Sequence, residues 1–210
     1  MKILIADDHA IVREGLKRII EEAQDLKLEA EAADGGDVMK LVREHEFDVL
    51  VTDLSMPGRS GMELIKLAKA EKPKLRILVL SMHQEAQYAV RAIKSGASGY
   101  LTKESAPGQL VQAIRKIAAG GAYVSSEVAE QLALGAMPGG TNAPHESLSD
   151  REFEVFRLLV AGKRGAEIAD ELVLSEKTVS SHKASVLRKL NLVGIAELVR
   201  YAIKHDLLPS

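Results

Sequence analysis

The sequence predicts an α/β domain, a five-stranded parallel sheet wound with helices on both faces, followed by a smaller all-α domain. Three observations carry this. Five short apolar runs alternate with amphipathic helical patterns over the first 121 residues, as successive β/α units around a parallel sheet require. Acidic, hydroxyl or basic residues stand at the ends of four of those runs: Asp7 and Asp8, Asp53, Ser81 and Lys103. Beyond a stretch rich in Gly and Pro near 135–147, only helical periodicity remains.

Taken in order, the first strand spans 3–6, and its helix, 11–23, places Val12, Leu16, Ile19 and Ile20 on one face. The second strand, 28–32, is short and rich in Glu and Ala; its helix, 37–45, carries Val38, Leu41 and Val42 as an apolar stripe. The third, 47–53, is apolar nearly throughout, as a strand buried on both faces is. Met56-Pro57-Gly58 turns the chain into a helix at 61–70, and a strand at 76–81, a helix at 85–94, a strand at 99–102 and a helix at 107–119 complete the set. Gly120-Gly121 stops the last helix, so this domain is set at 1–121. Residues 122–146 read as a linker with a short helix at 127–134, and the Pro- and Gly-rich 135–147 as flexible. The second domain is set at 147–210. Ser149-Asp150-Arg151-Glu152 is a capping box that starts its first helix, and Gly162 stops it. Helices at 166–172 and 176–190, joined by Val173-Leu174-Ser175, form a helix-turn-helix, with a last helix at 197–205.

Composition excludes several classes. With no Cys, the chain has no disulfide, thiolate zinc site or Cys nucleophile. The four-residue apolar run before Asp7 is too short for the core of a signal peptide, and no apolar stretch has the length of a membrane span. A cytoplasmic protein with no membrane partner is expected. The net charge of −2 favours no partner, but 177–189 holds four cations and no anion. That is a nucleic-acid hint, against the ordinary alternative of a solvated face.

The carboxyl ends of parallel strands open onto one crevice, where groups distant in sequence converge. Three carboxylates, a lysine and a hydroxyl there make a magnesium and phosphoryl site. Asp8 and Asp53 can hold the metal, Lys103 can balance a new negative charge and Ser81 can donate a hydrogen bond. Each Asp alone reads as a helix start or turn former; their joint placement at neighbouring strand ends favours the site. His9 reads as a polar loop residue. His83 reads equally as a loop residue or as a group overhanging the phosphoryl. On the helix from Glu176, Lys177, Ser180, Ser181, Ala184 and Arg188 share one face opposite Val179, Val186 and Leu190, with Lys183 at its flank. Such a face suits the major groove, and Thr178 and Ser180 near the helix start can meet phosphate. By itself the pattern is also that of an ordinary amphipathic helix.

The stretches Ile3-Leu4-Ile5-Ala6-Asp7-Asp8-His9, Asp53-Leu54-Ser55-Met56-Pro57-Gly58 with Gly61, Leu80-Ser81, and Gly96 through Lys103 resemble the receiver domain of two-component response regulators, a flavodoxin-like fold. The resemblance implies Asp53 as the phosphorylated residue. It implies Asp8, Asp53 and the backbone carbonyl of Ser55 as Mg2+ ligands, with Asp7 acting through water. Ser81 and Tyr100 match the switch hydroxyl and aromatic, and Lys103 the phosphoryl-contacting lysine; Glu104 stands where many relatives have proline. Leu148 through Glu152, Gly162, Glu167-Ile168-Ala169, Leu174-Ser175, Thr178-Val179, His182 and Lys189-Leu190 look like a LuxR-type DNA-binding domain. Together the halves resemble the NarL/FixJ subfamily. The chain departs from its pattern at Ser180, often Lys or Arg in relatives, at Arg164-Gly165-Ala166, and at Ile195, often Arg.

The resemblance implies a regulator rather than an enzyme. A cognate sensor histidine kinase would phosphorylate it, and the phosphorylated form, a homodimer paired through 197–205, would bind double-stranded DNA sequence-specifically. Before phosphorylation the receiver would occlude the recognition helix. A haloacid-dehalogenase-like phosphatase would need an Asp two residues after the nucleophile, where this chain has Ser55. The alternative is a phosphorylation-dependent protein-interaction switch without direct DNA binding, which Ser180 and Ala184 would suit.

Overall fold

Strands built of Ile, Leu and Val on both sides of the pleat need cover on both faces. In the computed structural model, β1 (Lys2–Ala6), β2 (Lys27–Ala32), β3 (Val49–Asp53), β4 (Arg76–Ser81) and β5 (Gly99–Thr102) form one parallel sheet in the order β2-β1-β3-β4-β5. Ile3, Ile5, Val49, Val51, Leu78, Leu80 and Leu101 share a core with Leu16 and Ile20 of α1 (Ala10–Glu21) and with Leu110, Ile114 and Ile117 of α5 (Ala106–Ala118). The alternate residues Leu4, Leu50, Ile77 and Val79 are equally buried, on the face covered by α2 (Gly35–Glu44), α3 (Gly61–Glu71) and α4 (Ala86–Lys94). The structure describes residues 1–56, 61–82, 86–136, 143–205, 207 and 208, which fall into two units, Met1–Leu132 and Ala133–Ser210. Pro57, Gly58 and His83 lie outside the described residues.

The two edges of the sheet are treated differently. On β2, Lys27, Glu29 and Glu31 are the more exposed positions and alternate with Leu28, Ala30 and Ala32, so charge guards that edge. The β5 edge is covered by the chain itself. The Tyr100 amide donates to the Tyr123 carbonyl at 2.8 Å and the Tyr123 amide to the Ser98 carbonyl at 3.2 Å, a single parallel bridge opposite Gly99. Glycine suits this approach, because a Cβ at Gly99 would lie 3.0 Å from both the Tyr123 carbonyl oxygen and Leu78 Cδ1 and would press both back by a few tenths of an ångström. The Tyr123 hydroxyl bonds Gln109 of α5 at 2.8 Å and holds the segment down. A helix, α6 (Ser126–Ala136), follows, and residues 122–132, expected as linker, lie within the first unit.

The second unit holds a 3-10 turn (Pro144–Ser147), α7 (Asp150–Val160), α8 (Gly165–Leu172), α9 (Glu176–Lys189) and α10 (Ile195–Lys204). The α7 capping box is closed in both directions: the Ser149 hydroxyl accepts from the Glu152 amide at 3.3 Å, and the Glu152 carboxylate from the Ser149 amide at 2.7 Å. Phe153, Phe156, Ile168, Val179, Val186 and Leu198 form the core. The expectation of a flexible 135–147 is corrected at its end. Pro144 starts the turn, and His145 is buried with its amide and ring 3.2 and 3.0 Å from the Tyr201 hydroxyl of α10. Residues 137–142 lie outside the described residues. Among the described residues, no helix is long and apolar enough to cross a membrane.

Candidate functional site

From β1 the chain goes to β2 on one side, and β3 lies on the other; at such a switch point the strand ends part and leave a crevice. Ala6 and Thr52 are paired in register, so Asp7 and Asp53 emerge side by side. Asp7 is 1% exposed and Asp53 3%, so their carboxyl oxygens must find polar partners within the protein. One partner comes from the β5 side. Thr102 pairs with Ser81, and the Lys103 amide donates to the Ser81 carbonyl at 2.8 Å. That turn places Lys103 Nζ 2.8 Å from Asp53 Oδ2, as a hydrogen bond, and 2.7 Å from Asp7 Oδ2, as an ion pair. Burial alone would lower the Lys103 pKa, but its contacts with Asp53 and Asp7 outweigh that and hold it above the ordinary lysine value.

The other carboxylate oxygens are held by backbone. Asp53 Oδ1 accepts the Ser55 amide at 3.1 Å, and Asp7 Oδ1 accepts the His9 amide at 2.9 Å. Asp7, Asp8, His9 and Asp53 each offer an atom within 4.8 Å of the others. Asp8 Oδ1 is buried and accepts no well-aligned hydrogen bond among the described residues, with His9 Nδ1 as a neighbour at 2.9 Å. Acceptor-only oxygens with capacity to spare fit a small hard cation such as Mg2+. The sequence placed His9 in a loop and missed its nearness to the acids; its position directly after Asp7-Asp8, as N-cap of α1, was the available signal. Ser81 is fully buried at the end of β4, one residue beyond Leu80, the partner of Asp53 in the ladder. Tyr100, on β5 next to β4, is buried at 7% exposed. The Ser55 side chain is exposed.

A second constellation lies on the helix-turn-helix. α8 ends at Val173, whose φ of 53° and ψ of 50° reverse the chain; Ser175 then caps α9 by accepting the Thr178 amide at 3.1 Å. Lys177, Ser180, Ser181, Ala184 and Arg188 line the outer side, Thr178 and Lys183 are half-buried, and Val179, Val186 and Leu190 are buried. Ser181 turns its hydroxyl back to the Lys177 carbonyl at 2.9 Å. The fourth cation of this stretch serves the fold instead. Lys189 Nζ donates to Glu152 Oε2 at 2.6 Å and to the Ser147 carbonyl at 3.2 Å. Lys177, Lys183 and Arg188 are therefore the cations left for the outer face.

Residues 3–115, more than half of the chain, match the family described as "Response regulator receiver domain". The chain is a response regulator. Residues 146–202 of this response regulator match "Bacterial regulatory proteins, luxR family", the pairing that defines the NarL/FixJ subfamily. The regulator is 37% identical to the response regulator UvrY of Escherichia coli (strain K12) over 208 residues, which cover 99% of this chain and 95% of UvrY. It is 39% identical to the oxygen regulatory protein NreC of Staphylococcus haemolyticus over 215 residues, covering 99% of each. Among solved structures, RcsB of Salmonella typhimurium is similar with a TM-score of 0.71 at 30% identity, over 99% of this chain and 98% of that one. RcsB of Salmonella enterica serovar Typhimurium bound to promoter rprA, with the phosphomimetic BeF3-, is similar with a TM-score of 0.66 at 31% identity, over 96% of this chain and 97% of that one.

Proposed function

We propose that this response regulator accepts a phosphoryl group on Asp53 and so controls binding of its C-terminal unit to double-stranded DNA. The observation that carries the reading is the clamp of Lys103 on Asp53 and Asp7 at the sheet's switch point. An oxygen of Asp53 attacks phosphorus in line, an O–P bond forms, and the donor's bond to phosphorus breaks with its electron pair leaving on the donor. The Lys103 ammonium balances the incoming charge, and the Ser81 hydroxyl, at the next strand end, donates to the phosphoryl. Asp8, Asp53 and the Ser55 carbonyl would hold Mg2+, with Asp7 supporting it through water. Bound there, the ion would screen the repulsion between anionic donor and carboxylate.

Movement of Ser81 toward the phosphoryl, with Tyr100 packed behind it, re-sets the surface around α4 and α5. Lys177, Thr178, Ser180, Ser181, Lys183, Ala184 and Arg188 then face the DNA, the three cations toward phosphates. The protein acts as a homodimer through α10, on which Ile203 stands 55% exposed. A sensor histidine kinase is the donor, and the cytoplasm the place of action. The similar RcsB structure bound to a promoter supports the DNA reading.

Intact-mass measurement after treatment with acetyl phosphate tests the acceptor. Wild type should gain one phosphoryl only with Mg2+ present, and Asp53→Asn none. Equal labelling of both proteins places the acceptor elsewhere.

A further inference from the structure

We infer that Arg13 is a positioning residue for the acidic site: it fixes the backbone of Asp7 and thereby the aim of the Asp7 and Asp8 carboxylates. The inference rests on the proposed metal and phosphoryl site. The last ladder pair of β1 is Ala6 with Ala32; beyond it the Asp7 amide still reaches the Ala32 carbonyl at 3.2 Å. The Asp7 carbonyl is left past the end of the ladder. Arg13, one turn into α1, fills it: Nη1 donates to the Asp7 carbonyl at 2.6 Å, the short distance of a charge-assisted bond.

The guanidinium is itself anchored. Its Nε lies 3.6 Å from Glu31 Oε2 on β2, its side chain is 19% exposed, and Lys17 stands 3.8 Å from the other Glu31 oxygen. The backbone amide of Arg13 also closes the start of α1 on the His9 carbonyl at 3.2 Å. One residue thus ties β2, the start of α1 and the Asp7–Asp8 peptide together. That peptide plane sets the direction of both carboxylates, because Asp7 and Asp8 are the residues on either side of it. The guanidinium meets the two acceptors with separate nitrogens, Nη1 on the carbonyl and Nε toward the carboxylate, whereas a lysine would have to serve both from one shorter-reaching, unforked ammonium. Groups that orient metal-binding carboxylates without touching the ion change its affinity by about 10- to 100-fold when removed.

The experiment is a calorimetric Mg2+ titration of the full chain as wild type, Arg13→Ala, Arg13→Lys and Glu31→Gln, with acetyl phosphate labelling of each across Mg2+ concentrations. Arg13→Ala should weaken Mg2+ binding about tenfold. Its labelling rate should return to near wild type once Mg2+ saturates. Arg13→Lys should recover part of the affinity, and Glu31→Gln, which removes only the anchor, should show a smaller loss. A role in stability alone would lower the unfolding temperature and leave Mg2+ affinity where it was. Wild-type affinity in folded Arg13→Ala, or in Glu31→Gln if Arg13→Ala does not fold, overturns the inference. Wild type that takes up neither Mg2+ nor phosphoryl overturns instead the site on which it rests.

Discussion

Glu152 accepts hydrogen bonds from three directions: the Ser149 amide, the Ser185 hydroxyl at 2.6 Å and the Lys189 ammonium at 2.6 Å. Burial alone would raise its pKa, but Lys189, Ser185 and Ser149 together lower it from 4.5 to about 2. A carboxylate depressed on folding stabilises the folded unit fully above pH 4.5 and loses that contribution as the pH falls toward 2. At about 1.4 kcal/mol for each tenfold change in proton affinity, the contribution near neutrality is about 3 kcal/mol. Glu152→Gln should therefore unfold more easily than wild type at pH 7, and the gap should close as the pH falls from 4.5. A gap that stays constant would assign the effect to packing. Val173 is a residue-scale opposite: a β-branched side chain, 68% exposed, held in the left-handed region. That conformation costs about 1 kcal/mol, and Asn tolerates it better. Val173→Asn should raise the unfolding temperature of the C-terminal unit; an unchanged or lower one would show that the turn favours Val for reasons outside its backbone.

At the scale of elements, α9 combines an apolar inner face with an outer face bearing three cations, while its last turn is tied to α7 through Lys189 and Glu152. Lys177→Ala and Lys183→Ala should each weaken DNA binding across sequences and flatten the salt dependence by about one unit of log–log slope. Affinity measured against salt checks this, and an unchanged slope turns that lysine away from the DNA. A uniformly flat slope in wild type would favour the protein-interaction alternative. Element types were legible because apolar periodicity separates a strand buried on both faces from an amphipathic helix, as at Val49–Asp53. Element ends moved where capping decided them. Asp34 accepts from the Gly36 and Asp37 amides at 2.7 and 2.9 Å, so α2 opens at Gly35, two residues before the apolar pattern shows it. Lys103 and Asp53, fifty residues apart, were legible through the rule that parallel strand ends share a crevice. The Arg13 clamp, the His145–Tyr201 contact and the division of labour among four cations were not, because each rests on individual side-chain contacts that leave no period in the sequence.

At the scale of the whole molecule, each unit has its own core, and the chain passes from one to the other beyond Leu132. Residues 122–124 occupy the open side of β5, where the Tyr100 amide and the Ser98 carbonyl find their partners in Tyr123. A receiver fragment ended at residue 121 would strip that side. Unpaired strand edges recruit strands from other molecules. Such a fragment should form concentration-dependent oligomers on size exclusion, whereas one ended at residue 136 should stay monomeric under the same conditions. Equal behaviour of the two would mean that α5 and its Gln109 shield the edge unaided. The three residues are in this sense a built-in chaperone for the sheet, occupying in the native chain the place that a foreign strand would otherwise take.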